Sequence, residues 1–481
     1  MQAPPLAPTV APSRLAAVAW AALGLAIAAL LVVSVAELNR LALLALVTVP
    51  VVTLVAVNVE FGVYCLLGYS TVLAFLIRML PPANTGPIGV ALDGLLVLMG
   101  LRLLLDLAMR RDWGLFRSPV TPAVLAFVAF QGVEVFNPAA PSIMFGLWGL
   151  RVTARILGFF LILYYFRDRV AIRRLLWGWL ALMLGVGAYG VFQHHHGLLW
   201  QEMAWLLTEG NAKTHILGGY VRVFSTVGDA ATFGFLMTMG VLLAFAMALA
   251  ARGPAQLVLM VATLPMLYGM AVSYSRGPVV ALAAGAAMMI VASRNWRLGA
   301  AIALVGLVGL SLLVASGSSR LVDRLASAGD ANDASFQVRT GYIMQYAPEI
   351  ARRPFGYGIN TSGGGGLRVT GGENVRKSVV GVPTDNYYFK VALEMGWVGL
   401  ALWLWLNGVL LWHAYRVYRR TRDPELQAIA LGLLSVLFAL IVGAFSNDIL
   451  AQKPISEFFW IAVGLVVLIG QHRPMAPEGR P

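Results

Sequence analysis

Long apolar runs, repeated along most of the chain, leave few folds open to this sequence. A helix crosses a bilayer with about 20 consecutive apolar residues. About fourteen such runs can be counted, near 15–36, 41–58, 61–77, 87–108, 119–136, 143–166, 172–193, 229–250, 255–273, 276–293, 298–315, 386–414, 425–446 and 455–471. They are continuous rather than alternating, so they specify helices and not the strands of a barrel. A soluble core does not absorb them: 59% of the 481 residues are hydrophobic and 12% are charged, against about 25% charged in a soluble domain. The expected fold is an all-α polytopic membrane protein of about 14 transmembrane helices with one large extramembrane loop containing short helices.

The net charge of +13 would raise the question of nucleic acid in a soluble protein. Here the basic clusters follow the span count instead. With the N-terminus cytoplasmic, the inside loops hold Arg110, Arg111 and Arg117, then Arg167, Arg169, Arg173 and Arg174, then Arg252, then Arg294 and Arg297, then Arg416, Arg419, Arg420 and Arg422. Cytoplasmic loops carry such an excess, and one miscounted span would scatter the clusters over both faces. The outside face then receives the segment 194–228, the tight turn at 273–277 and the long polar stretch 316–385. The organisation expected is therefore spans 1–11 within residues 1–315, the large loop 316–385, spans 12–14 within 386–471, and a disordered cytoplasmic tail over 472–481. Residues 1–14 lack a signal-peptide pattern, so the first span is expected to serve as an uncleaved anchor. The single cysteine, Cys65, excludes an internal disulfide and argues against a structural zinc site.

A chain built mostly of spans rarely keeps a 70-residue polar loop without a use for it. The stretch carries eight basic and six acidic residues, too mixed for a nucleic-acid surface. Ser335 to Ala351 reads as an amphipathic helix with Arg339 on its polar side. It is followed by Arg352-Arg353-Pro354-Phe355-Gly356-Tyr357-Gly358, where Pro354 stops the helix and the glycines permit a sharp turn. Gly363 to Gly366 is expected to be flexible. The stretch closes on Asp385-Asn386, and after nine residues Gly396-Trp397-Val398-Gly399 follows within an apolar run. Asp385 is either a helix cap or a general base at the membrane surface. Lys390 and Glu394, four apart on one helix face, are spaced to pair, and a charge pair within a span points to a lined cavity.

Two arginines elsewhere belong to the outer face. Arg222 stands before span eight, as an interfacial arginine or an anion ligand. Arg276 lies in Ser273-Tyr274-Ser275-Arg276-Gly277-Pro278, with Pro278 suited to a first helical turn; amides there plus a guanidinium would hold a phosphate. Weaker signals are Asp93, Glu134, Arg151 and Arg155 near span ends, where both arginines are spaced to meet Glu134, and Asn447, Asp448 and Lys453 in the last outer turn. His194-His195-His196 lacks companion ligands at metal spacing and is expected to be a solvated loop.

Taken in order, Arg222 with Phe224 and Gly228, Ser275-Arg276-Gly277, Arg339, Arg353 to Gly358, and Asp385-Asn386 followed by Glu394 and Gly396 to Gly399 resemble the O-antigen ligase and O-antigen polymerase superfamily of bacterial membrane glycosyltransferases. The resemblance covers about the C-terminal half. It departs at Asp385, where the ligases it resembles have a histidine, and so it inclines toward a polymerase of O-antigen or exopolysaccharide repeat units. It implies an inner-membrane location with the site facing the periplasm. The implied donor is a glycan on undecaprenyl diphosphate, and the implied acceptor is lipid-linked, lipid A core or protein. Other polysaccharide-assembly proteins are further candidate partners, and no cofactor, metal or nucleic acid is expected. Arg222 and Arg276 would stabilise the departing diphosphate, and Asp385 would take the acceptor proton with inversion at the anomeric carbon. Arg339, Arg353, Asn386, Tyr274, Lys390 and Glu394 would bind substrate. The competing readings are a ligase, which differs in acceptor, and a lipid-linked oligosaccharide flippase. A flippase would place its charges near the bilayer midplane rather than at the rim.

Overall fold

A computed structural model describes residues 51–80, 86–208, 211–217, 219–295, 334–371 and 379–471. The expected spans 15–36 and 298–315, and most of 41–58, lie outside the described residues. The other eleven are helices. They are α1 (Val59–Met79), α2 (Gly86–Arg110), α3 (Thr121–Glu134), α4 (Ile143–Thr153) continued through one tight turn by α5 (Leu157–Tyr165), α6 (Arg169–His196), α9 (Ala230–Ala250), α10 (Pro254–Val272), α11 (Arg276–Ser293), α14 (Tyr387–Arg420), α15 (Pro424–Gly443) and α16 (Ile455–Gln471). Counting α4 and α5 as one, nine described helices are long and apolar enough to cross a membrane. The other two, α3 with 14 residues and α16 with 17, are apolar but shorter. Between the spans lie α7 (Trp200–Leu206), α8 (Asn211–His215), a two-residue hairpin pairing Ile216–Leu217 with Tyr220–Val221, α12 (Ala334–Arg352) and α13 (Gly363–Val369).

Start signals are local. Asp229, Asn386 and Asp423 cap α9, α14 and α15 with side-chain oxygens, and proline stands in the first turn of α3, α10 and α15. Helices α9 and α15 are apolar all round and buried on almost every side, so they form the centre that α10, α11, α14 and α16 surround. Three of the five basic clusters predicted to share a face lie together. Arg167 pairs with Asp112 at 2.7 Å, Arg169 pairs with Asp423, and Arg173 pairs with Glu425 at 3.4 Å. One end of the bundle is thus laced by ion pairs between loops.

At the other end α14 is broken. Gly396 has φ 65° and ψ −171°, a conformation reserved for glycine. The break takes the carbonyls of Leu393 and Glu394 away from their own helix, and the polar stretch satisfies them: Tyr357 N–H donates to Leu393 O (3.1 Å) and Gly358 N–H to Glu394 O (2.8 Å). In return Val398 N–H donates to Pro354 O (3.2 Å). Backbone groups inside a bundle must be paired, so the two motifs interlock by necessity. Two expectations are corrected here. The run Gly363–Gly366 begins helix α13 rather than a flexible loop, and His194–His196 end α6, with His195 stacked on Tyr268 at 5.6 Å. The helix simply continues one turn further than its apolar pattern.

Candidate active site

The end opposite the ion-paired loops opens into a cavity of about 760 Å³. Its wall is assembled from the start of α9, the α4–α5 junction, α13, the start of α14 and the loop between α15 and α16. Asp385 reaches it because Asn386, and not Asp385, caps α14: Asn386 Oδ1 accepts from Tyr388 N (2.9 Å) and Phe389 N (3.1 Å). Tyr387 N–H donates to Ala444 O at 2.8 Å and ties this helix start to the end of α15. Asp385 is therefore released from capping and stands in the cavity wall.

Lys390 and Glu394 line the same wall and pair at 2.7 Å. Glu394 is held on four sides. Its carboxylate also accepts from Asn360 N (3.0 Å), Ser362 N (3.0 Å) and Ser362 Oγ (2.6 Å). Hence it organises the turn between the interlocked Tyr357–Gly358 segment and α13. A carboxylate with that many donors is a fixed anion, and a fixed anion orients Lys390 toward the cavity.

The remaining charges come from elsewhere. Arg151 pairs with Asp93, which also meets Lys453 Nζ at 3.3 Å. Arg155 donates to Ala451 O (2.7 Å) and Ser456 Oγ (2.8 Å) and faces Glu457 at 3.4 Å. The expected meeting of these arginines with Glu134 does not occur. Glu134 instead accepts from Asn137 at 2.7 Å, because α3 ends there and turns away from the junction. Arg368, in α13, is exposed on the cavity side. Asp229 and Asp448 complete the wall. Asp448 is pushed up to about 6, first by burial and further by the Asp229 and Asp385 carboxylates, against the opposing effect of Lys390 and Gln452.

Of the residues singled out in the sequence, Asp385, Lys390 and Glu394 share this cavity, while Arg222, Arg276, Tyr274 and Arg353 are not among its lining. Arg222 braces the turn before α11: it donates to Ser273 O (3.2 Å), Thr214 O (3.4 Å) and Ser275 Oγ. Tyr274 is buried in that turn at φ 48°. Arg276 opens α11, whose Gly277 packs against Ser446, two residues before Asp448. Arg353 lies over the Tyr357 ring at 4.3 Å. Arg339 falls in α12, and its side chain lies outside what is described. Asp448 and Lys453 were visible as polar residues in a short turn between spans. Asp229, Gln452 and Arg368 carried no signal that separates them from ordinary caps and loop residues. Among the described residues no cluster of three His, Cys, Asp or Glu is placed to hold a metal.

The sequence model of the O-Antigen ligase family matches residues 261–404, which contain the α11 turn, the polar stretch, Asp385 and the α14 break. Over this segment the chain is similar to the O-antigen ligase/polymerase superfamily. An "O-antigen polymerase" of Salmonella muenchen is 26% identical over 189 residues, covering 38% of this chain and 45% of that protein, so the match spans less than half of the relative. A chain from a solved structure titled "Structural coordination of polymerization and crosslinking by a peptidoglycan synthase complex" is 20% identical, with a TM-score of 0.40 over 74% of this chain and 96% of the other. Nine described helices are long and apolar enough to cross a membrane, and the segment 261–404 is the part of the chain similar to O-antigen ligases and polymerases.

Proposed function

We propose that the cavity transfers a glycan from undecaprenyl diphosphate to the hydroxyl of a second lipid-linked repeat unit, at the periplasmic face. The observation that carries this reading is that Asp385, the position where the chain departs from the ligases it resembles, lines one cavity with Arg151, Arg155, Arg368, Lys390 and Lys453. The acceptor hydroxyl gives its proton to Asp385 as its oxygen bonds to the anomeric carbon. The bond from that carbon to the phosphate oxygen breaks, and the electron pair leaves with the diphosphate. Attack from the face opposite the leaving group inverts the centre. Cationic side chains oppose the charge that builds on the leaving group, worth several kcal/mol in a site of low dielectric. Arg368 and Arg151 are the most exposed of these cations and would meet the diphosphate first. Arg222 and Arg276 we assign to holding the Ser273–Gly277 turn against Ser446, and with it the Asp448 loop.

Sidedness follows from the basic, ion-paired loops, which belong in the cytoplasm. Polymerase is favoured over ligase by Asp385 in place of histidine and by the name of the Salmonella relative. The description of the matched family favours the ligase, with the same residues acting toward another acceptor. A strain carrying only Asp385→Asn decides between them through its lipid-linked pool. Accumulated single repeat units support polymerisation, accumulated long chains support ligation, and an unchanged pool with normal chain lengths refutes both.

A further inference from the structure

Asp229 and Asp448 face each other across Thr232 and Gln452, and the hydrogen count along this line does not close with ionised carboxylates. Thr232 Oγ lies 2.7 Å from Asp229 Oδ2 and 2.7 Å from Gln452 Oε1. A hydroxyl has one proton, so it cannot donate to both. Gln452 Nε2 meets Asp448 Oδ1 and, at 3.2 Å, Asn447 Oδ1. Two arrangements close the Thr232 end: a proton on Asp229 donated to Thr232, or a half-turn of the Gln452 carboxamide, whose N–H then donates to Thr232, which donates to Asp229; the desolvation of Asp448 favours the second. The same half-turn sets the amide oxygen against Asp448, and two oxygens at that separation require a proton between them. Asn447 turns with it and offers its own amide N–H.

We infer that Asp448 carries a proton, donates it to Gln452, and thereby sets how strongly the cavity binds its anionic donor. The binding part rests on the function proposed above; the protonation does not. The charged groups facing Asp448 are Lys390 from α14, Asp385 ahead of α14 and Asp229 ahead of α9. Arg151, Arg155, Arg368, Lys453 and Glu394 stand further round the same wall. With Asp448 neutral, the wall opposes an incoming diphosphate with one negative charge fewer. Burial holds the proton in the same direction, to about pH 6 in the unliganded protein. An arriving diphosphate raises that value, so proton and donor bind together.

The test uses the full-length protein in nanodiscs and a probe of constant charge, a prenyl diphosphate diester bearing one sugar. Parent and Asp448→Asn are compared from pH 5 to 9. Asparagine supplies the N–H that the protonated carboxyl would supply, so it mimics the neutral state. The probe should bind the parent progressively more weakly above about pH 6, by on the order of tenfold across the range, while Asp448→Asn stays flat. A parent and variant with the same pH profile overturn the inference. Thermal midpoints give a readout that needs no donor. The folded value of Asp448 is raised, so its ionisation costs stability as pH climbs from about 4 through 6, and the advantage of Asp448→Asn should grow over that window and then level. Gln452→Leu, which keeps Asp448, separates the two amide orientations: loss of an acceptor moves the step to lower pH, whereas a shift to higher pH means the amide donates to a carboxylate and the assignment is wrong. Failure of the probe to bind either protein, with the stability step intact, would count against the donor and not against the proton.

Discussion

Gly396→Ala probes the interlock on which the cavity wall depends. At φ 65° and ψ −171°, a Cβ on residue 396 would lie 2.1 Å from Pro354 O and 2.3 Å from Pro354 C. Both are backbone atoms, so no side-chain rotation relieves the contact. Holding alanine in a glycine-only conformation costs about 1–3 kcal/mol, and the overpacking adds about 1–3 kcal/mol. The sum, about 2–6 kcal/mol, matches or exceeds over most of its range the roughly 3 kcal/mol that the three interlocking hydrogen bonds retain at about 1 kcal/mol each. The variant should therefore straighten α14, returning the Leu393 and Glu394 carbonyls to helical partners and expelling the Pro354–Gly358 segment. Asn360 and Ser362 follow directly and would leave Glu394. Purified in detergent, Gly396→Ala should show a lowered thermal midpoint and faster tryptic cleavage after exposed Arg352. Gly408→Ala in the same helix meets nothing within 4 Å and is the matched control; it should be neutral or more stable by up to about 1 kcal/mol. Parental melting and protease resistance in Gly396→Ala would refute the interlock.

Asp385→Asn should lower glycan transfer by about 10²–10⁴-fold without moving the thermal midpoint, and residual activity near the parent's would remove Asp385 from proton transfer. Glu394→Gln keeps the shape but surrenders the charge that four contacts share, so a loss of about 1.5–3 kcal/mol is expected; an unshifted melt would show that the charge is dispensable. Arg368→Ala should raise KM for the lipid-linked donor about tenfold with kcat and stability retained, consistent with one lost charged contact, and a fall in kcat alone would contradict that. Arg222→Lys cannot span Ser273 O, Thr214 O and Ser275 Oγ together, so it should cost about 1–2 kcal/mol of stability while donor KM holds; a selective rise in KM would return Arg222 to the diphosphate.

Periodicity and charge made most of the scaffold legible, because lipid allows so few solutions for an apolar run. Loops whose basic residues were grouped on one face by counting are joined in space by Arg167–Asp112 and Arg169–Asp423. The motifs around Asp385, Glu394 and Gly396 were equally legible, since glycine at fixed spacing and a charge within a span each have few structural meanings. The cations were harder. An arginine at a span end looks the same in sequence whether its donors are taken by backbone, as for Arg222, or face a cavity, as for Arg151. Partner choice is a long-range property: Arg155 meets residues some 300 positions away, and nothing local in the chain separates Glu457 from Glu134 as its carboxylate.

The same distinction explains why three acidic residues so far apart in the chain serve one site. Asp229 begins α9, Asp385 precedes α14, and Asp448 follows α15, and α15 packs against both of the other two helices. A carboxylate near a helix start is favoured by the amides and dipole there, which makes the rim of a helical bundle an inexpensive place to keep acids. Two of the three do not serve that duty: Asn386 takes it over for Asp385, and Asp448 starts the short turn Ile449–Ala451 but turns its side chain to Gln452. At the start of α14 a neighbouring residue satisfies the backbone, and both carboxylates line the cavity rather than cap a helix start. A carboxylate relieved of capping, in a wall it shares with Arg151, Arg368, Lys390 and Lys453, is the feature that separates a candidate acid or base here from the many acids that only start helices.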